Sequence, residues 1–148
     1  MDLKINGKIL VSRLQNSDKV IKPRVMRFLR NQAIDTERTA KKEVQVDTAQ
    51  LQSSIRPEVN LGGMSYTVKP HADHAIFAHE GRRPGKMPPV SAVESWSKRK
   101  GLDPFMVARS IGRKGTKGKK FMDIAYRKQK PTFNRESKVL LNDIVRLI

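Results

Sequence analysis

The chain has 148 residues, a length typical of one domain, so we predict a single domain over residues 1–148. It has no cysteine, which excludes disulfide frameworks, cysteine nucleophiles and thiolate zinc sites. Its 31 Lys and Arg residues against 14 Asp and Glu give a formal net charge of +17, which favours an anionic partner. Hydrophobic residues at 37% and aromatic residues at 5% indicate a modest core, which favours assembly with partners over a self-sufficient enzyme.

Apolar runs in this chain are short. Near the start only residues 9–11 are consecutively apolar, which is too few for the core of a signal peptide. No stretch holds 18 consecutive apolar residues, the least that a membrane-spanning helix needs. We therefore expect neither secretion by the usual route nor a membrane-spanning segment.

A long amphipathic helix is predicted over residues 17–43. Apolar residues recur there at spacings of three and four, and the opposite face is rich in Lys, Arg and Glu. Asp18 can cap its start, and Pro23 lies early enough to be tolerated in a first turn. Before the helix, residues 8–11 are interpreted as a short strand.

A small antiparallel β-sheet is predicted next. Residues 46–48 are interpreted as a turn that caps a short helical turn through Leu51. Gly62-Gly63 marks a turn between the first two of three predicted strands, which cover residues 55–59, 66–69 and 75–79. The long helix can lay its apolar face on this sheet, so the predicted fold class is α+β.

An exposed loop and two short helices are predicted to follow. The loop covers about residues 81–89 and is rich in Pro and Gly, which neither a strand nor a helix accommodates well. Apolar residues at helical spacing then predict helices over residues 90–100 and 104–112, the first of which ends at Gly101.

A helical turn and a C-terminal helix complete the predicted elements. The turn covers residues 121–127, and Pro131 separates it from a helix over about residues 133–148. That helix carries two adjoining apolar faces and needs cover on more than one side. Four aromatic side chains are predicted to be core residues, namely Phe28, Trp96, Phe105 and Phe121.

The sequence offers no catalytic constellation. The only cluster that suggests a metal or acid–base site is His71, His74 and His79 with Asp73 and Glu80. In the predicted strand His79 and Glu80 point to opposite faces, so convergence on one ion is not favoured. We predict a protein that is not an enzyme, with no catalytic residues, no metal and no cofactor.

Basic residues are concentrated between Gly81 and Lys120. This stretch has 12 Lys and Arg against two acidic residues, so it carries +10 of the net charge of +17. Scattered charge usually marks a solvated face, but this concentration more often meets an anionic partner. The candidate interface residues are Arg82, Arg83, Lys86, Met87, Arg113, Lys114, Lys117, Lys119 and Lys120.

Residues 113–120 have two compatible interpretations. Alternating Gly and Lys can wrap an anionic surface or DNA phosphates, with little base information because no aromatic residues interleave. The same composition is typical of a mobile surface loop between two helices.

Several motifs in the chain occur in the order found in a known family. Val46-Asp47-Thr48 and Leu51-Gln52-Ser53-Ser54-Ile55 are followed by Ala75-Ile76-Phe77-Ala78-His79-Glu80-Gly81 and then by Gly115-Thr116-Lys117-Gly118-Lys119-Lys120-Phe121, with Ala125 four residues on. This order resembles the head–tail joining (neck, or tail-completion) proteins of long-tailed bacteriophages. The resemblance covers about half of the chain. Ala49 stands where the family usually has Gly, and Arg82 where it usually has Thr.

The resemblance implies a structural virion protein. Copies would form a ring, hexameric by tail symmetry, that contacts the tail terminator or tail tube and the head-closure or connector proteins. It also implies a location in the virion neck, with host cytoplasm as the site of assembly, and contact of the lumen with phage DNA is compatible with it. Glu80 would act in a salt bridge or as a backbone cap. The charge alone supports an alternative function, that of a basic nucleic-acid-binding protein.

Overall fold

The computed structural model describes residues 7–44, 49–60 and 65–146, and its fold mixes helices with antiparallel strands, as the α+β class predicted. In these residues the strands form two two-stranded sheets in place of the one predicted three-stranded sheet. Its elements are α1 (Gly7–Glu43), α2 (Gln50–Ser54), β1 (Ile55–Val59), β2 (Tyr66–Pro70), α3 (Ala75–Glu80), β3 (Gly81–Arg82), α4 (Val90–Arg99), α5 (Pro104–Lys114), β4 (Thr116–Lys117) and α6 (Phe121–Val145). β1 pairs with β2, and β3 pairs with β4. Within these ranges, no helix combines the length and apolar content that crossing a bilayer requires.

The chain divides into two compact units. One comprises Met1–Thr39, Pro57–Val68 and Tyr126–Ile148, and the other comprises Ala40–Arg56 and Lys69–Ala125. We call them the first and the second unit. The single domain of the sequence analysis stays a prediction.

In the first unit, side chains of α1 and α6 hold the two helices together. Gln32 Nε2 donates to Glu136 Oε2 at 2.5 Å, and the rings of Phe28 and Phe133 lie 5.4 Å apart. Gln129 Nε2 also donates to the hydroxyl of Thr39, at 2.6 Å. These partly buried polar contacts fix the pairing of the helices more specifically than apolar packing alone, because each donor must meet an acceptor at a defined position on the other helix.

The second unit has a small core. Among the described residues its buried apolar side chains are Ala40, Val44, Leu51, Ile55, Ala75, Ala108, Phe121 and Ala125. Only Ile55 and Phe121 combine a large side chain with nearly complete burial. This agrees with the modest core that the composition predicted.

Several predicted elements are confirmed. The strand over 55–59 is β1, the strand over 66–69 is β2, and the helical turn through Leu51 is α2. The helices over 90–100 and 104–112 are α4 and α5. The turns predicted at residues 46–48 and at Gly62-Gly63 lie outside the described residues.

The start of α1 was predicted wrongly. The helix begins at Gly7, so residues 8–11 are not a strand, Asp18 is not an N-cap, and Pro23 lies inside the helix. Polar residues such as those at 15–18 cost only about 0.7 kcal/mol or less each in a helix, so they do not force a new start. Proline keeps a helical φ and removes one backbone donor, which a long helix can tolerate.

The predicted strand over 75–79 is also wrong, because these residues form helix α3. A run of five mostly apolar residues has no periodicity that separates a strand from a short helix. Alanine at positions 75 and 78 favours the helix. Strand β3 begins at Gly81, directly after the last residue of the helix.

Pro131 does not separate two helices as predicted. It lies within α6, which runs without a break from Phe121 to Val145. The missing backbone donor costs one hydrogen bond. Two residues before it, Gln129 bonds Thr39 Oγ1 and the carbonyl of Asp35, which holds this part of α6 in place.

Helices α4 and α5 form a capped pair. Asp103 accepts from the backbone N–H of Met106 and caps α5, and Gly101 takes the left-handed conformation after α4, with φ of 68°. On the surface of α4, Lys98 donates to Glu94 at 2.6 Å, and this hydrogen bond lowers the pKa of Glu94.

Two of the four aromatic core predictions are wrong. Trp96 is 40% exposed and Phe105 is 52% exposed, whereas Phe121 is 1% exposed as predicted, and Phe28 is half-buried against Phe133. In α4 the fully buried residue is Ser97, one position on from Trp96. Successive residues of a helix point about 100° apart, so the helix cannot bury Ser97 and Trp96 equally. The small side chain of Ser97 lets the paired helices approach closely.

Candidate functional site

The β3–β4 ladder joins two sequence segments that are far apart in the chain. Gly81 pairs with Lys117 and Arg82 with Thr116, in antiparallel register. The backbone N–H of Lys119 donates to the carbonyl of Ala78 at 3.0 Å, and that of Lys120 to the carbonyl of His79 at 2.9 Å. We call the paired residues 78–84 and 115–120 the glycine clasp.

Three glycines allow the two segments of the clasp to approach closely. A Cβ on Gly118 would lie 2.3 Å from the carbonyl carbon of Glu80 and from the amide nitrogen of Gly81. A Cβ on Gly81 would lie 2.3 Å from the carbonyl oxygen of Thr116. A Cβ on Gly115 would lie 2.2 Å from the carbonyl oxygen of Arg82. Since these neighbours are backbone atoms, a side chain at any of the three positions forces the segments apart.

The predicted exposed loop over 81–89 is corrected in part. Residues 81 and 82 belong to β3, and the loop beyond them is fixed to the end of α5. The N–H of Gly85 donates to the carbonyl of Gly112 at 2.8 Å, and Gly112 lies against the backbone of Met87. Residues 83–87 are exposed as predicted.

Helix α6 begins directly after the clasp and anchors it in the core. Phe121 is 1% exposed and Ala125 is fully buried. The ring of His79 meets that of Phe121 edge to face, with centroids 5.2 Å apart. The clasp is therefore held by backbone pairing on one side and by an aromatic contact on the other.

The clasp brings the predicted interface residues together on the second unit. Arg82, Arg83, Lys114 and Lys117 line a pocket of about 690 Å³, together with Glu80, Gly81, Pro84, Gly115 and Thr116. Lys86 and Met87 follow in the exposed loop, Arg113 lies in the last turn of α5, and Lys119 and Lys120 follow β4. We call the cations of this set the basic surface: Arg82, Arg83, Lys86, Arg113, Lys114, Lys117, Lys119 and Lys120.

Few carboxylates neutralise the basic surface. Glu80 Oε2 lies 3.8 Å from Lys120 Nζ, and its Oε1 lies 2.8 Å from His79 Nδ1. In the described part of the chain, no ion pair within 4.0 Å joins the other cations of the surface to an acidic group. The surface therefore keeps most of its positive charge.

Arg82 is the most constrained cation of the surface. Its guanidinium donates to the carbonyl of Lys86 at 2.7 Å and lies 5.9 Å from the ring centre of Phe77. The backbone of Arg82 is paired in β3. Sequence reasoning did not identify Phe77 as its support, because α3 was predicted as a strand.

His79 and Glu80 lie in α3 and share a hydrogen bond, contrary to the prediction that they point to opposite faces of a strand. His79 Nε2 is buried without a hydrogen-bond partner, and Asp123 Oδ1 lies 3.8 Å away. In residues 7–44, 49–60 and 65–146, no three His, Cys, Asp or Glu side chains are placed to hold a metal ion.

The backbone at Ala49 is left-handed, with φ of 59° and ψ of −3°. This residue precedes α2, and its carbonyl accepts from the N–H of Ser53 at 2.8 Å. A left-handed residue is more stable as glycine, because the Cβ of alanine costs about 1–2 kcal/mol there.

A comparison of the chain with family models, with curated proteins and with solved structures finds no match.

Proposed function

We propose that this chain is a structural protein of the bacteriophage head–tail junction, in which copies form a closed ring that joins the tail to the capsid connector. The observation that carries the proposal is the glycine clasp. It joins the Glu80-Gly81 motif to the Gly115-Thr116-Lys117-Gly118 motif, which lies more than thirty residues further on. The pairing of the two motifs in space supports the proposal, because it gives both a place in one structural feature.

The remaining motif positions also have structural reasons. Phe121 and Ala125 are buried beneath the clasp, and the backbone at Ala49 suits the glycine that the family usually has. At the second departure, Arg82 replaces the usual Thr without a steric conflict, because its side chain lies over Phe77 and in the pocket.

Exposed apolar side chains supply surface for contacts between subunits. Toward the end of α6, Val139, Leu141 and Val145 are each more than half exposed. Leu141 and Val145 lie one helical turn apart on the same face, and a contiguous exposed apolar patch marks an interaction site more often than scattered residues do. We assign this part of α6 to the contact with a second copy, as a ring built from heterologous interfaces requires.

The partners and location follow from the same proposal. One face of the ring would contact the tail terminator or tail tube, and the other the head-closure or connector proteins. The protein would act in the virion neck, after assembly in the host cytoplasm. Its role would be structural, with no catalytic step, metal or cofactor.

The solution mass of the purified protein tests the proposal. We expect light scattering over a concentration series to show a closed oligomer, most simply a hexamer, whose share rises with concentration. Replacing Leu141 and Val145 by serine should shift the series toward monomer without changing the helical content, because both side chains are exposed. Val59→Ser, at a single exposed apolar residue of β1, is the control and should leave the mass unchanged.

A wild-type protein that stays monomeric at every concentration would contradict the ring. So would an oligomer whose mass keeps growing with concentration, because an open filament does not close on itself.

A further inference from the structure

The basic surface gathers like charges that the chain does not neutralise. Arg83, Lys114 and Lys117 line the pocket of the clasp with exposed side chains. No carboxylate lies within ion-pair distance of these three among the described residues. Cations held this close repel one another, and an anion in the pocket would relieve the repulsion.

We propose that the basic surface is a binding site for the phosphate backbone of duplex DNA, occupied without reading the base sequence. The inference deepens the proposed function by naming a partner for one surface, and it can fail separately from the ring. Arginine and lysine supply the charge, and the exposed hydroxyl of Thr116 adds a neutral donor of the kind that phosphate contacts use.

The composition of the pocket favours nucleic acid over an acidic protein. Protein interfaces are built on a dry centre of aromatic or large aliphatic side chains surrounded by a polar rim. The pocket is lined by four cations, one acid, two glycines, one threonine and one proline, and it has no large apolar side chain. A surface this polar and this positively charged is typical of protein–DNA contacts.

The same pocket is unsuited to reading bases. Single-strand binding sites stack bases on exposed aromatic rings, and specific duplex readers place a helix or ribbon in the major groove. Phe77 is an aromatic residue beside the basic surface; it is 52% exposed, and the guanidinium of Arg82 lies 5.9 Å from its ring centre, over one face. We therefore expect contact with phosphates only, and similar affinity for unrelated sequences.

Some charged groups of the basic surface and its pocket also have structural roles within the protein. Arg113 and Lys114 are in the last turn of α5, where cations stabilise the partly negative end of a helix. Glu80 places a carboxylate in the pocket, but its two oxygens face His79 and Lys120. Neither role uses Arg83 or Lys117, so helix stabilisation does not account for the whole surface.

Two triple variants that remove the same charge test the inference. The first is R83Q, K114Q and K117Q in the pocket, and the second is K22Q, R24Q and R27Q on exposed positions of α1 in the first unit. Glutamine keeps a long polar side chain and removes the charge. Circular dichroism first establishes that both variants keep the wild-type helical content, and fluorescence anisotropy then measures binding to a short random duplex at several salt concentrations.

We expect the pocket variant to lose about tenfold or more in affinity at low salt and to flatten the plot of log K against log salt by about 2.7, the value for three lost phosphate contacts. The α1 variant should change the affinity at low salt and the slope of the salt plot much less. Equal losses in the two variants would overturn the inference, because net charge alone would then explain binding. Binding of polyglutamate to the wild-type pocket as tight as binding to DNA would also overturn it, in favour of an acidic protein partner.

The outcomes separate the two proposals. A ring-sized oligomer that ignores DNA would leave the junction proposal in place and remove the DNA site. A monomer that binds duplex through the pocket would do the reverse, and the alternative function of a basic nucleic-acid-binding protein would then become primary.

Discussion

Replacing Gly118 by alanine is expected to lower the free energy of unfolding by about 3 kcal/mol or more, at the upper end of the range for overpacked sites. The new Cβ would lie 2.3 Å from backbone atoms of His79, Glu80 and Gly81. Backbone atoms cannot turn away as a flexible side chain can, so the β3–β4 ladder must separate. Urea unfolding followed by circular dichroism measures the loss.

Gly101→Ala is the matched control for that variant. Gly101 has a left-handed φ of 68°, but nothing lies within 4 Å of a Cβ built on it. Its replacement should cost about 1–2 kcal/mol, the strain of a left-handed alanine. Gly118 does not have a positive φ, so any loss on its replacement comes from the close approach of the two segments. A loss at position 118 well below that at position 101 would contradict the clasp.

Truncating Phe121 to alanine is expected to cost about 3–5 kcal/mol, as for other fully buried aromatic side chains. The ring is 1% exposed, and its edge-to-face contact with His79 would be lost together with the apolar burial. Because α6 begins at this residue, the start of the helix should also loosen. Thermal unfolding and hydrogen exchange of the amides near residue 121 measure the two effects.

Phe105→Ala removes the same side chain from an exposed site and is the control. Phe105 is 52% exposed on α5, so its truncation should cost about 1 kcal/mol or less. A large loss at Phe105 with a small loss at Phe121 would contradict the assignment of the core in the second unit.

Sequence periodicity was sufficient to predict most of the helices and the strands β1 and β2. The spacing of apolar residues predicted α4 and α5, and Gly101 marked the end of α4 because it tolerates a left-handed backbone. The errors occurred where local signals are ambiguous. Residues 75–79 are too few to show a period, and the prolines at 23 and 131 lie in helices that continue through them.

Composition identified the basic residues of the candidate site but not their arrangement. The loop and the Gly-Lys run were treated as two separate exposed segments, whereas β3 pairs with β4 and places both around one pocket. No local pattern predicts that pairing, because each strand has only two residues. The glycines at 81, 115 and 118 were the sequence feature related to the pairing, because each lies where two backbone segments approach too closely for a Cβ.

Burial of the single tryptophan was mispredicted for a different reason. A large aromatic residue at helical spacing is usually a core residue, yet α4 buries the small side chain of Ser97 and leaves Trp96 40% exposed. Whether Trp96 or Ser97 is buried depends on where the partner helix lies, and the sequence of α4 alone does not show that position.

The most direct test of the proposed junction role is to remove the gene for this chain from the genome that carries it and to examine the resulting particles by electron microscopy. We expect DNA-filled heads and complete tails that are not joined, and we expect the wild-type protein supplied in trans to restore joined, infectious particles. Protein carrying Gly118→Ala, which disrupts the clasp, should fail to restore them, and protein carrying Phe105→Ala should succeed. Normally joined, infectious particles in the absence of the gene would contradict the account.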